Sequence, residues 1–163
     1  LDVIKSPISN ISVSGVSIVS PTPDITNARI EFENGSVANL TASRISLKNM
    51  RRHRIFQKDA YITVDFLDKK TDIVRIDNAE GEINPLAMTI DLADGSCKQI
   101  TIEQPEVTPI NAIMTELESF HNAIINNTEP PVTIHDGVMA LKVCYMILDE
   151  IVKNQKIVQN HLK

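Results

Sequence analysis

The residues best equipped for chemistry in this sequence are basic and close together. Arg44, Lys48, Arg51, Arg52, Arg54 and Lys58 fall in one short stretch of a chain that otherwise carries an acid excess. Arginine forks bind phosphate or carboxylate through two parallel hydrogen bonds, so a patch confined to one loop suits a small anionic ligand better than a polymer. The competing reading is a solvated loop and edge strand, where charge discourages pairing with other chains. Arg44 stands apart from its neighbours. It ends a predicted strand on the parity of Ala38, Leu40 and Ala42, where an inward face meets the loop, and a charge on that parity usually has a partner. Asp2, in the run Leu1-Asp2-Val3-Ile4, is the other candidate, weighed against a plain surface carboxylate.

The remaining reactive side chains form no set. His53, His121, His135 and His161 are scattered without metal-ligand spacing, and His121 falls beside an apolar stripe, the place of a packed or interface histidine. Cys97 and Cys144 make neither a disulfide framework nor a ligand set, and they suit a reducing cytoplasm. GxGxxG, P-loop, HExxH and GxSxG patterns are all missing from the sequence. No catalytic, cofactor-binding or metal-binding residue is therefore assigned within this chain.

Composition narrows the class. The 163 residues suffice for one domain with a sizeable core, and 42% hydrophobic with 23% charged residues read as ordinary globular protein. Sixteen basic against 21 acidic residues give a net charge of -5, which argues against a nucleic-acid partner. Aromatics at 4% with no Trp disfavour a base-stacking platform. Every apolar run is broken by Asn, Ser, Asp or Lys within a few residues, so no membrane-spanning segment is expected. The opening on Leu1 in mid-phrase, without a basic region leading into an apolar one, reads as part of a longer chain without a signal peptide.

The elements that must position these residues are mostly strands. Residues 8–19 alternate Ile11 and Val13 with Ser12 and Ser14, and residues 21–24 form a breaker. Ala28, Ile30 and Phe32 alternate with Arg29, Glu31 and Glu33. Asn34-Gly35 then predicts a tight type I′ turn into a return strand over 36–44. Further strands are expected over 51–57, 60–67, 72–76 and 98–103, with loops at 78–85 and Asp94-Gly95. At Pro109 the period changes to 3.6. Ile110, Ile113, Met114, Leu117, Phe120 and Ile124 make one apolar stripe, ended near Asn126 and Pro130-Pro131. A second helix is expected from Asp136 toward Gln159, with Thr133 and Asp136 at capping-box spacing. Strands first and helices last predict an α+β fold: an open, mostly antiparallel β-sheet with helices packed on one face. The other face, with Ser12, Ser14, Asn39, Thr41, Ser43 and Thr63, is polar but poor in charge and is available for oligomerisation.

The run from Ala28 through Asn34-Gly35 to Ala42-Ser43-Arg44 resembles the C-terminal domain of the glucose-fructose oxidoreductase / inositol dehydrogenase / rhizopine catabolism (Gfo/Idh/MocA) family. So do Glu116-Leu-Glu-Ser-Phe120 with Ala123-Ile124, Glu129-Pro130-Pro131-Val132-Thr133, and Asp136-Gly137 with Ala140-Leu141. The resemblance covers residues 28–151 and implies that residues 1–163 are a single substrate-binding and oligomerisation domain. The family's N-terminal Rossmann domain, which binds NAD or NADP and supplies the catalytic Lys, Asp and His, would lie outside this chain. Leu1-Asp2-Val3-Ile4 is similar to the tail of the family's Asp-x-x-x-His-x-x-Asp motif, which makes Asp2 its last acidic position. The implied function is that of the C-terminal domain of a cytoplasmic NAD(P)-dependent oxidoreductase. Its substrate would be a sugar, cyclitol or nucleotide sugar lined by Asp2, Arg44 and Arg51, and the fragment alone would be catalytically silent. The alternative is a free-standing α+β binding or assembly module whose likeness is only of fold.

Overall fold

The computed structural model describes residues 3–78, 87–93 and 95–161, with side chains as far as Asn154. Its strands and helices confirm the α+β class, but the strands divide between two sheets. The chain forms two compact units, Leu1–Leu47 with Ile113–Lys163, and Lys48–Ala112.

In the first unit, β1 (Ile8–Val16), β2 (Ile25–Phe32) and β3 (Val37–Ser43) make an antiparallel sheet in the order β1-β2-β3. The register sets Ile11 beside Ile30, Val13 beside Ala28, and Ala28 beside Leu40, so the apolar residues share one face. Ser12, Ser14, Asn27, Arg29, Asn39 and Thr41 share the other, as the alternation predicts. The β2–β3 turn differs from the expected type I′. Asn34 has no positive φ; only Gly35 does, at 82°. Gly35 N–H donates to Phe32 C=O at 3.0 Å, and Phe32 N–H donates to Ser36 C=O at 3.0 Å. That is a three-residue loop with one left-handed position, which leaves Asn34 free to accept the Ser36 N–H on its side-chain oxygen at 3.0 Å.

Helices α1 (Ala112–Asn126) and α2 (Ile134–His161) follow the strands. Thr133 and Asp136 form the expected cap on α2. The Asp136 carboxylate accepts Thr133 N–H at 2.8 Å and Thr133 Oγ at 2.7 Å, while Asp136 N–H donates back to Thr133 Oγ at 3.2 Å. Those bonds from Thr133 hold the Asp136 carboxyl below its ordinary range. Thr133→Ala should cost about 0.5–2 kcal/mol, read from the urea midpoint.

The core lies where α2 crosses this sheet. Ile30, Phe32 and Val143 form its centre, with Ile4, Ile8, Ile11, Ala38 and Ile147 packed around them. Val143, Ile147 and Ile151 recur every fourth residue and so face the sheet together. Asn154 Nδ2 then donates to the Val13 carbonyl at 2.9 Å. The approach needs Gly15: a Cβ there would sit 2.7 Å from Ile151 Cδ1 and 3.0 Å from both of its γ carbons. Because Ile151 is only 2% exposed, it has little room to yield. Gly15→Ala should therefore destabilise the chain by about 1–3 kcal/mol in urea denaturation.

Helix α1 departs from its expected packing. Its stripe forms as predicted, yet Ile113 is 70% exposed, Leu117 60%, Phe120 56% and Ile124 64%. Among the described side chains of α1 only Ala123 is buried. His121 is exposed as well. A continuous apolar face of this kind normally marks a surface that another element covers.

In the second unit, β4 (Arg52–Phe56), β5 (Ala60–Asp65), β6 (Lys70–Asn78), β7 (Met88–Asp91) and β8 (Cys97–Glu103) form an antiparallel sheet in the order β4-β5-β6-β8-β7. Strand β7 falls where the sequence predicts no element. It joins β8 through Gly95, whose N–H donates to Leu92 C=O at 3.0 Å with φ at 83°. The only buried residues described here are Ala60 and Asp65.

Candidate functional site

Arg44 has the partner that its parity required. Between β1 and β2 the chain loops over residues 17–24 and closes on Asp24, which is 2% exposed. One carboxylate oxygen of Asp24 accepts the backbone N–H groups of Ile18 at 2.7 Å, Val19 at 2.8 Å and Ser20 at 3.2 Å. The other accepts Ser20 Oγ at 3.1 Å and Arg44 Nε at 3.1 Å. The Ile18 and Val19 amides, outweighing burial, hold the Asp24 carboxyl down to about 2. Arg44 is fixed a second time, since its Nη2 donates to Thr22 Oγ at 2.7 Å and Pro23 C=O at 2.8 Å. The guanidinium is thus oriented by three groups while half its side chain stays exposed. A cation held in this way can meet an incoming anion without losing side-chain freedom at that moment.

Arg51 belongs to the second unit. Its side chain is exposed, and its carbonyl accepts Phe66 N–H at 2.9 Å. Asp2 lies outside the described residues. Elsewhere in the basic cluster, Arg52 is committed: its Nε and Nη2 reach one Asp65 oxygen at 2.9 and 2.6 Å. The second Asp65 oxygen accepts Leu67 N–H at 3.0 Å and Asp68 N–H at 3.1 Å. These bonds, the Asp68 amide first and Arg52 next, lower the Asp65 carboxyl, and the Asp65 hydrogen bond raises the Arg52 guanidinium. The pair closes the β5–β6 turn. Lys48, Arg51, Arg54 and Lys58 are exposed and have no ion pair among the described residues.

The β4-β5-β6 register brings Arg52, Arg54, Tyr61, Thr63, Asp65, Lys70 and Asp72 onto one face, where with Asp68 they line a shallow polar tray. Arg54 and Lys70 can donate to an oxyanion there. Asp65, Asp68 and Asp72 lie in the same tray and oppose a polyanion. No group of three or more His, Cys, Asp or Glu suited to a metal occurs among the described residues. Burial pushes the Cys97 thiol up, away from a reactive thiolate. The described residues therefore offer places to hold and orient a ligand rather than a nucleophile paired with a base.

No protein-family model matches this chain. It is 34% identical over 110 residues to the UDP-N-acetylglucosamine 3-dehydrogenase of Acidithiobacillus ferrooxidans, a match over 68% of this chain and 31% of that protein. A crystal form of the same dehydrogenase superposes with a TM-score of 0.72 and 25% identity, covering 90% of this chain and 41% of that one. This chain is similar to part of a sugar-nucleotide dehydrogenase. It spans about a third of the length of that curated relative. An NAD-binding protein from Listeria innocua shares the fold at a TM-score of 0.63 and 17% identity, over 93% of this chain and 45% of the other.

Proposed function

We propose that this chain is the C-terminal domain of an NAD(P)-dependent oxidoreductase of the Gfo/Idh/MocA family, acting on a hydroxyl of a sugar, cyclitol or nucleotide sugar. The observation that carries the reading is the 34% identity over 110 residues to a UDP-N-acetylglucosamine 3-dehydrogenase. Among the three substrate classes it favours a nucleotide sugar. The exposed stripe Ile113, Leu117, Phe120 and Ile124 supports the second half of the reading, since a further domain of the same polypeptide would cover it. The sequence has no glycine-rich strand-to-helix turn for a dinucleotide, so the groups that hold NAD or NADP belong to the proposed Rossmann domain. Held there, NAD or NADP would supply the hydride acceptor for oxidation of a substrate carbinol, with the hydroxyl proton passing to a base of that domain.

This domain's part is to hold the substrate. Arg44, held by Asp24, offers its remaining N–H groups to a phosphate oxygen of the sugar nucleotide, and the family resemblance assigns Arg51 and Asp2 to substrate as well. Its polar sheet face, where Thr41 Oγ donates to Asn27 Oδ1 at 2.9 Å and Arg29 is paired with Glu31 at 3.1 Å, serves assembly with other copies. Without the Rossmann domain the chain is catalytically silent. A cytoplasmic setting fits the two free cysteines, and no described helix is long and apolar enough to cross a membrane.

The test is an assay of the complete gene product with UDP-N-acetylglucosamine and NAD or NADP, following reduced nicotinamide. Arg44→Ala and Arg51→Ala should each raise KM about tenfold or more with little change in kcat, the loss of one charge-assisted phosphate contact. Unchanged KM in both variants would remove the two arginines from the substrate site. If the complete product reduces neither cofactor with any sugar nucleotide, the chain is instead a binding or assembly module.

A further inference from the structure

We propose that β3 is a pairing edge, and that two copies of this chain join β3 to β3 in antiparallel fashion about a two-fold axis at Leu40. The inference does not depend on the enzyme reading. Strand β3 hydrogen-bonds only to β2 among the described strands, so its far side is an open sheet edge. Exposed edges are ordinarily guarded by Lys, Pro, a bulge or a covering element. The β3 sequence, Val-Ala-Asn-Leu-Thr-Ala-Ser, has no charge and no Pro, and its register with β2 runs without a shift. By contrast, the outer strand β1 carries a register shift between Ile8 and Asn10, and β4 carries Arg52, His53 and Arg54.

The backbone fixes which groups are on offer. The bonds bracketing the β2–β3 ladder, Phe32 N–H to Ser36 C=O and Arg44 N–H to Asp24 C=O, both 3.0 Å, join even-numbered residues. In an antiparallel ladder the even residues of β3 therefore bond to β2. Val37, Asn39, Thr41 and Ser43 point their N–H and C=O groups outward.

Those outward residues are self-complementary. Pairing Asn39 with Thr41 of a second copy, and Val37 with Ser43, gives hydrogen-bonded pairs throughout, each exchanging two bonds. The same register sets Ala38 opposite Ala42 and Leu40 opposite Leu40 on the apolar face. Leu40 is 47% exposed, although it shares the face on which Ile30 is buried, and this pairing covers it. No two like charges oppose each other along the strand, which satisfies the requirement an isologous contact places on its own surface.

The test is disulfide mapping of the complete polypeptide with Cys97 and Cys144 replaced by Ser. Across the axis the two Leu40 Cα atoms would lie roughly 4.5–5.5 Å apart, within disulfide reach, whereas the two Ala38 Cα atoms would lie roughly 14 Å apart. Leu40→Cys should form a covalent dimer on mild oxidation. Ala38→Cys and Ala42→Cys should each form no covalent dimer alone and cross-link when mixed. Association through the helix stripe or the polar sheet face would not produce that pattern. The proposal is overturned if Leu40→Cys forms no covalent dimer under oxidation. It is equally overturned if Ala38→Cys and Ala42→Cys cross-link alone as readily as Leu40→Cys.

Discussion

Asp24→Ala is expected to lower the melting temperature of this chain by on the order of 10 °C. The carboxylate organises a whole loop. It accepts three consecutive backbone N–H groups and the Ser20 hydroxyl, and it anchors Arg44 from the end of β3. Removing it strands those donors together and releases the guanidinium. Asp24→Asn keeps the size but offers one acceptor in place of two and loses the charge, so it should fall between the wild type and the Ala variant. The acid limb carries a separate signature. The Asp24 carboxyl is lowered from its ordinary 3.8 to about 2 in the folded chain. A depressed folded value means that the stabilisation is fully present above the unfolded value and is lost as pH falls toward the folded one. Wild-type melting temperature should therefore drop between about pH 5 and pH 2, and Asp24→Asn should show a shallower drop in that window. Superimposable pH profiles for the two proteins would refute the account of this loop.

The second large effect concerns α1. Replacing Ile113, Leu117 and Phe120 together with Ala should leave the fold of this chain intact, because all three are more than half exposed and Ala is a strong helix former. Binding of an apolar fluorescent dye should fall several-fold. In the complete protein the same triple variant should behave differently. If a further domain packs on this stripe, each lost side chain removes about 1.5–3 kcal/mol of burial, and the stability of the domain contact should fall by more than about 4 kcal/mol. An unchanged urea midpoint for the complete triple variant would show that α1 faces solvent there too.

The sequence made the class and several details readable because their causes are local. Alternation around Asn34-Gly35 predicted the hairpin, and the step to a 3.6 period at Pro109 predicted the first helix. The Thr133–Asp136 spacing predicted a cap that forms in both directions. Other features depend on partners that a single sequence does not name. Alternation reports that residues 51–57, 60–67, 72–76 and 98–103 are strands, but not that they leave β1-β2-β3 to build a second sheet. Asn-Gly fits two kinds of hairpin loop, and the three-residue one formed, with a single left-handed position at Gly35. Strand β7 is only Met88–Asp91, too short for its alternation to register. In α2, apolar residues occur on more than one side, so the period could not select Val143, Ile147 and Ile151 over Leu141, Tyr145 and Leu148 as the sheet-facing row.

The site shows the same division. The inward parity of Arg44 implies a partner, but Asp24 lies inside a Pro-Thr-Pro-Asp run that reads only as a breaker between strands. An acid that follows such a breaker and opens an apolar strand was the available clue. Nothing local distinguished Arg52, which is committed to Asp65, from Arg51 and Arg54, which are not. That difference depends on a cross-strand register set by folding.

The measurement that tests the central claim most directly is to read the coding sequence upstream of the Leu1 codon. The account predicts an open reading frame with a strand, a GxGxxG-type turn and a helix, then a Glu-Lys-Pro, and an Asp-x-x-x-His just before Leu1. An initiation codon within a few residues of Leu1 would contradict it. The chain would then stand as an α+β module in its own right, with the dehydrogenase likeness confined to fold and ancestry.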